Sequence, residues 1–207
     1  YKPTRDDLIT FSFYSGEDNL VETSDTRRFQ YPNFGDIDEI EIRGDLDRIS
    51  RWGNNGYSFK WSRQWNPKFF NSLNVSYSQY YNYQDDSYFV NAIIPDLDST
   101  IFDLSVILDQ DNKVEDFTAR YDAELLSGKN NKFEFGLEFT RSEIDYLFVR
   151  DDTLSIIDNS QLSDLYSAYI SYNLTSVKNL NLKVGLRASR YELTKNNYLA
   201  PRFQLDY

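Results

Sequence analysis

The chain has 207 residues, 40% hydrophobic and 27% charged, with a formal net charge of -11. So acidic a chain lacks the basic face that nucleic-acid binding needs. It contains no His and no Cys, which removes Ser-His-Asp and Cys-His catalysis, His- or Cys-ligated zinc and disulfides. The 17 Tyr, 15 Phe and 3 Trp, set against 8 Gly and 5 Pro, favour strands. No run of about 18 apolar residues occurs, so no transmembrane helix is expected. The mean hydropathy of -0.64 does not exclude a membrane barrel, whose lipid-facing and lumen-facing residues average out polar.

Period-2 alternation dominates the chain. Ile9, Phe11 and Phe13 oppose Thr10, Ser12 and Tyr14. Tyr57, Phe59 and Trp61 alternate with Ser58, Lys60 and Ser62, and beyond Pro67 the run Leu73, Val75, Tyr77 alternates with Asn74, Ser76, Ser78. The same pattern returns at Phe117 to Leu125, Phe133 to Phe139, Tyr166 to Leu174, Leu180 to Ala188 and Phe203 to Tyr207. About eight antiparallel strands are expected, in an all-β fold.

Several runs extend over about 10 residues, the length a tilted strand needs to cross a bilayer, where soluble strands average about five or six. Tight connections at Trp65 to Phe69, Ser127 to Asn131 and Thr175 to Asn179 alternate with long polar ones. A short last connection at Lys195 to Asn197 breaks the parity. Outer-membrane barrels carry short periplasmic turns and long outer loops. Residues 1–207 are therefore expected to form one partial transmembrane β-barrel domain, with outer loops near 15–55, 83–112 and 150–160. Pro67, Gly128 and Val177 would mark the periplasmic rim. Aromatics near the strand ends (Trp61, Trp65, Phe69, Phe70, Tyr80, Tyr81, Tyr146 and Phe148) suit a girdle at the headgroup level.

In hydrocarbon every backbone N–H and C=O must be bonded within the protein, so a spanning sheet has to close. Eight strands can close on themselves around a filled interior, or they form one arc of a wider barrel. Lys60, Asp116, Arg120, Asp122, Glu124, Glu134, Glu138, Lys183 and Arg187 fall on the expected inner face, where opposite charges can pair across strands or line a polar lumen. A soluble β-sandwich that binds carbohydrate also alternates and is a third architecture.

Three segments carry a family resemblance. GNNGYSFKWSRQWNP (53–67) resembles a run of Bacteroidetes-type TonB-dependent receptors that leads from a surface loop into a strand. KNNKFEFGLEFTRSEIDY (129–146) is similar to another strand of that family, and NLNLKVGLRASRYELTKNNYLAPRFQLDY (179–207) to a hairpin, with Val184 and Ala200 where the family pattern has Pro and Glu. The resemblance implies an arc of a 22-stranded transporter without its plug, importing a bulky nutrient such as a siderophore, vitamin or oligosaccharide. It implies the outer membrane of a Gram-negative bacterium, with the lipid bilayer, the TonB complex and a surface lipoprotein as partners. The chain begins at Tyr1 without a signal peptide, as a mature protein or an internal piece would. Its alternating end at Tyr207 fits a barrel terminus, while the resemblance places that strand mid-barrel. The alternative is a complete eight-stranded barrel with a structural or adhesive role.

No catalytic, cofactor or metal residue is assigned, no cofactor is expected, and the chain is read as a non-enzyme. The carboxylate pairs Asp85/Asp86 and Asp151/Asp152 have the chemistry of a glycosidase but the ordinary reading of solvated loop acids. The clusters Asp36, Asp38, Glu39, Glu41 and Asp96, Asp98, Asp103, Asp109, Asp111 suggest calcium, although Lys113 and the lack of a Gly spoil an EF-hand loop. Tyr80, Tyr81, Tyr83, Tyr88 and Phe89 can stack on sugars or a planar chelate, with packing as their ordinary role. Ligand-binding positions stay open.

Overall fold

The structure, a computed structural model, describes residues 1–24, 29–34, 37–94, 99–128, 131–177 and 180–206. The regular elements are strands: β1 (Asp7–Ser24), β2 (Phe29–Phe34), β3 (Ile37–Asn66), β4 (Phe69–Ile94), β5 (Ser99–Leu126), β6 (Asn131–Arg150), β7 (Leu154–Val177), β8 (Leu180–Tyr191) and β9 (Asn196–Asp206). They form one antiparallel sheet in the order β1-β3-β4-β5-β6-β7-β8-β9. β2 lies on the same side of β3 as β1, with Ser24 opposite Leu46 and Phe29 opposite Ile42. The nine strands thus fill eight rows, as the alternation predicts. The sheet is open, and its edge strands β1 and β9 do not pair with each other.

The connections differ from expectation. The segments 15–55, 83–112 and 150–160, expected as long loops, are in their described parts mostly paired strand. The β3–β4 ladder continues from Asn66↔Phe69 to Glu41↔Ile93, and β4–β5 from Phe69↔Leu125 to Ile94↔Ser99. β6 turns into β7 over residues 151–153, where Asp151 and Asp152 take φ of 52° and 54°. Left-handed backbone at successive residues is what a tight type I′-like hairpin requires, and Asp tolerates it. These segments read as loops because their apolar residues, such as Phe89 and Val90 or Ile101 and Phe102, do not keep to one face, and the backbone ladder does not need an apolar face to pair.

The short turns are built locally. The Asn66 carboxamide oxygen accepts from the backbone N–H groups of Lys68 (2.9 Å) and Phe69 (3.1 Å), closing an Asx-type turn around Pro67. Gly128 has φ of 87° in the β5–β6 turn, a conformation that suits glycine.

Strand parity divides the sheet into two unlike faces. On one, apolar side chains stand in register: Phe11, Phe59, Val75, Ala119, Phe139 and Tyr166 form one such row. Rings meet across strands, with centroids 5.1 Å apart at Phe11–Phe59, 5.1 Å at Phe139–Tyr166 and 4.6 Å at Phe133–Tyr172. Each such pair contributes about 0.5–1.5 kcal/mol beyond its buried area. Among the described residues no second layer covers this face: Phe11 is 74% exposed, Leu137 62% and Phe203 71%. Only Ile40, Ala92 and Ala123 are buried hydrophobics among the described residues, so the hydrophobic core of a β-sandwich is missing.

The apolar band has edges, and both slide along the register. The upper edge passes from Tyr57, Tyr77 and Phe117, which lie in one row, to Phe139 and Tyr166 one row lower, and to Ala188 and Leu199 lower again. The lower edge passes from Trp61 to Leu125 and Phe133, and then to Leu174, Leu182 and Leu205. Beneath it on β1 and β3, Asp7 accepts from the Trp61 indole N–H (3.0 Å) and pairs with Arg63 (3.3 Å), whose guanidinium lies over Trp65 (4.3 Å). Of the expected girdle aromatics, Trp61 and Phe69 lie on the apolar face. Phe70, Tyr80, Tyr146 and Phe148 instead point to the opposite, polar face, because their parity is even.

On that polar face Tyr169 stands directly opposite Gly136. A Cβ on Gly136 would meet the Tyr169 ring at 2.3 Å and the Tyr121 carbonyl at 2.8 Å. The same Tyr-over-Gly arrangement occurs at Tyr14–Gly56 and Tyr81–Gly53. Gly136→Ala is expected to lift the Tyr169 ring off the sheet and to lower stability by about 1–3 kcal/mol, the usual cost of overpacking. Denaturant unfolding in detergent checks this, with Tyr169→Phe, which keeps the ring seated, as the milder variant.

Candidate functional site

The polar face is layered along the strands. Nearest the short turns it is ionic. Lys132 and Lys183 each lie 2.5 Å from the Glu134 carboxylate, which also accepts from the Ser171 hydroxyl (3.0 Å). One row pair higher, Arg187 bonds Glu138 (2.6 Å), Arg120 bonds Asp122 (2.8 Å) and lies 3.6 Å from Glu138, and the Tyr169 hydroxyl donates to Asp122 (2.5 Å). Asp116, Arg120, Asp122, Glu124, Glu134, Glu138, Lys183 and Arg187 thus occupy the face the sequence assigns them, and all but Asp116 take part in ion pairs or their networks. Asp116 accepts from the Ser142 hydroxyl (2.5 Å). Lys60 shares that face, opposite Thr10 and Asn74.

Above the ions comes a hydroxyl layer of Ser58, Ser76, Thr118 and Thr140 in one row, with Thr118 and Thr140 3.3 Å apart. Above that, the row Trp52, Asn82, Asn112, Tyr146, Asn159 mixes aromatic rings with neutral amides. The next row adds Gln84, Gln110 and Phe148. The layer is capped by Arg48, whose guanidinium bonds both carboxylate oxygens of Asp86 (2.7 and 3.2 Å), with Gln84 (2.9 Å) and the Tyr88 hydroxyl (3.4 Å) also donating to Asp86. Asp86 is only 4% exposed. Burial alone would push its pKa up, but the Arg48 guanidinium and the Gln84 amide outweigh that and hold it below the ordinary carboxylate value.

The residues singled out from the sequence are dispersed. Asp85 and Asp86 point to opposite faces: Asp86 to Arg48, Asp85 toward Asp109 directly across on β5. Burial and the Asp85 charge raise the pKa of Asp109. Asp151 accepts from the Ile107 backbone N–H (3.1 Å) and serves the turn. No pair of these acids flanks a cleft. Of the calcium candidates, Asp36, Asp96 and Asp98 lie outside the described residues, as do the side chains of Asp38 and Glu39. Glu41 is held by Arg43 (2.9 Å), and among the described residues no three acids converge to hold a metal. The aromatic group divides by parity. Tyr81 donates to Glu17 (3.0 Å) and Tyr83 to Asp109 (3.3 Å) on one face, while Tyr80 and Tyr88 belong to the other. The sequence reading missed Trp52, Asn82 and Asn112. Alternation of amides at Asn82/Gln84 and Gln110/Asn112 was the available signal.

No protein-family model matches the chain, and no curated protein matches its sequence. Solved structures are similar to it in sheet architecture. A mutant of the ferric enterobactin receptor PfeA from Pseudomonas aeruginosa aligns over 96% of this chain at 10% identity and a TM-score of 0.39. The outer membrane transporter YddB from Escherichia coli aligns over 93% at 11% identity and 0.38, and the siderophore receptor PirA from Acinetobacter baumannii over 99% at 13% and 0.38. The chain spans 41%, 36% and 41% of those proteins' lengths.

The Arg48–Asp86 pair yields a signed pH prediction. A depressed acid contributes stability that is present above the unfolded value, about 3.9, and is lost as pH falls through the lower folded value. Asp109, being raised, acts oppositely: its repulsion with Asp85 eases as pH falls through its elevated pKa. Limited proteolysis of the β4–β5 hairpin should therefore show slightly greater resistance in mild acid and a loss of resistance well below pH 4. Arg48→Ala should remove resistance at neutral pH, and Asp109→Asn should increase it.

Proposed function

We propose that the chain is an arc of the wall of a large outer-membrane β-barrel that imports a bulky nutrient, a siderophore, vitamin or oligosaccharide, in a TonB-dependent manner. The observation that carries this reading is the sliding apolar band on a single uncovered sheet. From Phe117 to Leu125 the band runs about 26 Å along β5 at ~3.3 Å per residue, or about 20 Å along the normal of a strand tilted by ~40°. That approaches the apolar height of an outer-membrane barrel, about 25 Å. A band that keeps level in a bilayer must slide along the register if the strands are tilted. A slide of four to six residues along the strands over the six steps from β3 to β9 corresponds to a tilt of roughly 30°.

An open edge is not tolerated in hydrocarbon, so further strands would join β1 and β9. The charged layer faces the lumen, where the plug of such a receptor would sit. The hairpins beyond the band stand outside the cell, and energy comes through the TonB complex by parts outside this arc. A surface lipoprotein is a further partner. The family motifs at 53–67, 129–146 and 179–207 support the receptor reading.

Two experiments test this. Antibody to the β4–β5 hairpin should detect the native protein in detergent extracts of outer membranes at several times 24.5 kDa. A heat-modifiable band near 24.5 kDa would replace the reading with a small complete barrel, and recovery in the aqueous fraction would end both. In refolding assays Leu137→Arg, on the apolar face, should cost about 2–4 kcal/mol, while Thr118→Arg, on the polar face, should cost far less.

A further inference from the structure

The layered polar face divides sharply by whether its groups are already engaged. The ions at membrane height answer one another within and across strands, as do Arg48 and Asp86 across strands at the top. Between them, the side-chain amides of Asn82, Asn112, Gln110 and Asn159 make no hydrogen bond among the described residues, nor does the Trp52 indole N–H or the Tyr146 hydroxyl. Each amide offers two donors and an acceptor. In the three rows running from Gly16, Asp18 and Leu20 on β1 across to β7, Asp18 on the edge strand is the sole charged residue, and neither Lys nor Arg is present.

We propose that this layer, centred on Trp52, Asn82, Asn112 and Tyr146, is a subsite for a neutral oligosaccharide. The inference rests on the receptor reading above and narrows its substrate class. A ferric chelate with anionic ligands, or an acidic glycan, calls for Arg or Lys, since charge-assisted bonds from guanidinium or ammonium are what anion recognition uses. This layer has none to give, and the chain as a whole is acidic. A neutral polyhydroxylated chain instead needs donors and acceptors in alternation, with flat apolar faces between them. The layer supplies this: Trp52 on β3 and Tyr146 on β6 stand three strand spacings apart, about 14 Å, with the two Asn amides between. The rings offer stacking faces for the apolar sides of successive sugars, and the amides reach their hydroxyls. These side chains are half-buried or exposed, so their donors and acceptors are open to an incoming hydroxyl.

The test uses the full-length native protein, purified from outer membranes in detergent. It is titrated calorimetrically with a panel of neutral oligosaccharides, with uronic-acid-containing oligosaccharides of matched length, and with a ferric catecholate chelate. Binding by a neutral oligosaccharide, with Trp52→Ala and the double variant Asn82→Ala/Asn112→Ala each weakening it at least tenfold while heat-modifiable folding is retained, is the expected result. Trp52→Phe, which keeps a stacking face, should restore most of the affinity. Binding confined to the anionic probes, no binding across the panel, or neutral binding that the variants leave unchanged would overturn the subsite. The receptor reading fails separately, if the protein is absent from the outer membrane or migrates near the mass of this chain alone.

Discussion

Everything in this chain hangs on the backbone ladder between antiparallel strands. A single layer of sheet has no interior of its own, and only three hydrophobic residues are buried among those described. Each row is held by its neighbours through hydrogen bonds and by the side chains directly opposite. The long registers of β3 with β4 and β4 with β5, each with a single shift near one end, are the direct expression of that dependence. Because side chains alternate with period two, keeping the ladder in register also fixes which chemistry reaches which face.

The two faces use that register differently. On the apolar face, rings and aliphatic chains stand in rows that suit a hydrocarbon surround. On the polar face at the same height, Glu134, Glu138, Asp122 and their basic partners neutralise one another, Lys132 and Arg120 from the same strand and Lys183 and Arg187 from across the sheet. A charge next to an apolar medium is tolerable when it is paired and hydrogen-bonded, and the Ser171 and Tyr169 hydroxyls complete those shells. The Tyr rings laid over Gly136, Gly56 and Gly53 fill the sites where the sheet has no side chain of its own.

Legibility in the sequence follows the same division. Where one face is apolar, hydrophobic alternation is strong, and Tyr57 to Trp61, Phe117 to Leu125 and Tyr166 to Leu174 announced their strands and faces. The charges from Asp116 to Arg187 followed from the same parity. Beyond the band polar and apolar residues mix on both faces, and alternation of Asn82 and Gln84 with Tyr81 and Tyr83 carries no hydropathy signal. Residues 15–55 and 83–112 therefore read as loops, although the backbone of their described parts mostly pairs. The error propagated to the candidate site. Tyr80 to Phe89 looked like one aromatic group and is split between faces, while Trp52 and Asn112 were hidden inside supposed loops. Nothing local in the sequence announces the Arg48–Asp86 pair either, because its partners are 38 residues apart and meet only through the register.

The slide of the apolar band carries a geometric corollary for the outer hairpins. A strand inclined by roughly 30° moves sideways as it rises. Between the turn at Pro67 and Trp52, β3 climbs about 50 Å of strand and drifts about 25 Å around the circumference, some five strand widths. The tip of a hairpin therefore overhangs a stretch of wall whose foot belongs to other strands. A molecule resting against Trp52 would look down on ionic groups contributed by strands far from β3 in sequence. Residues that act on one bound molecule at different depths would then be recruited along a helical path around the barrel, and not from the length of any one strand.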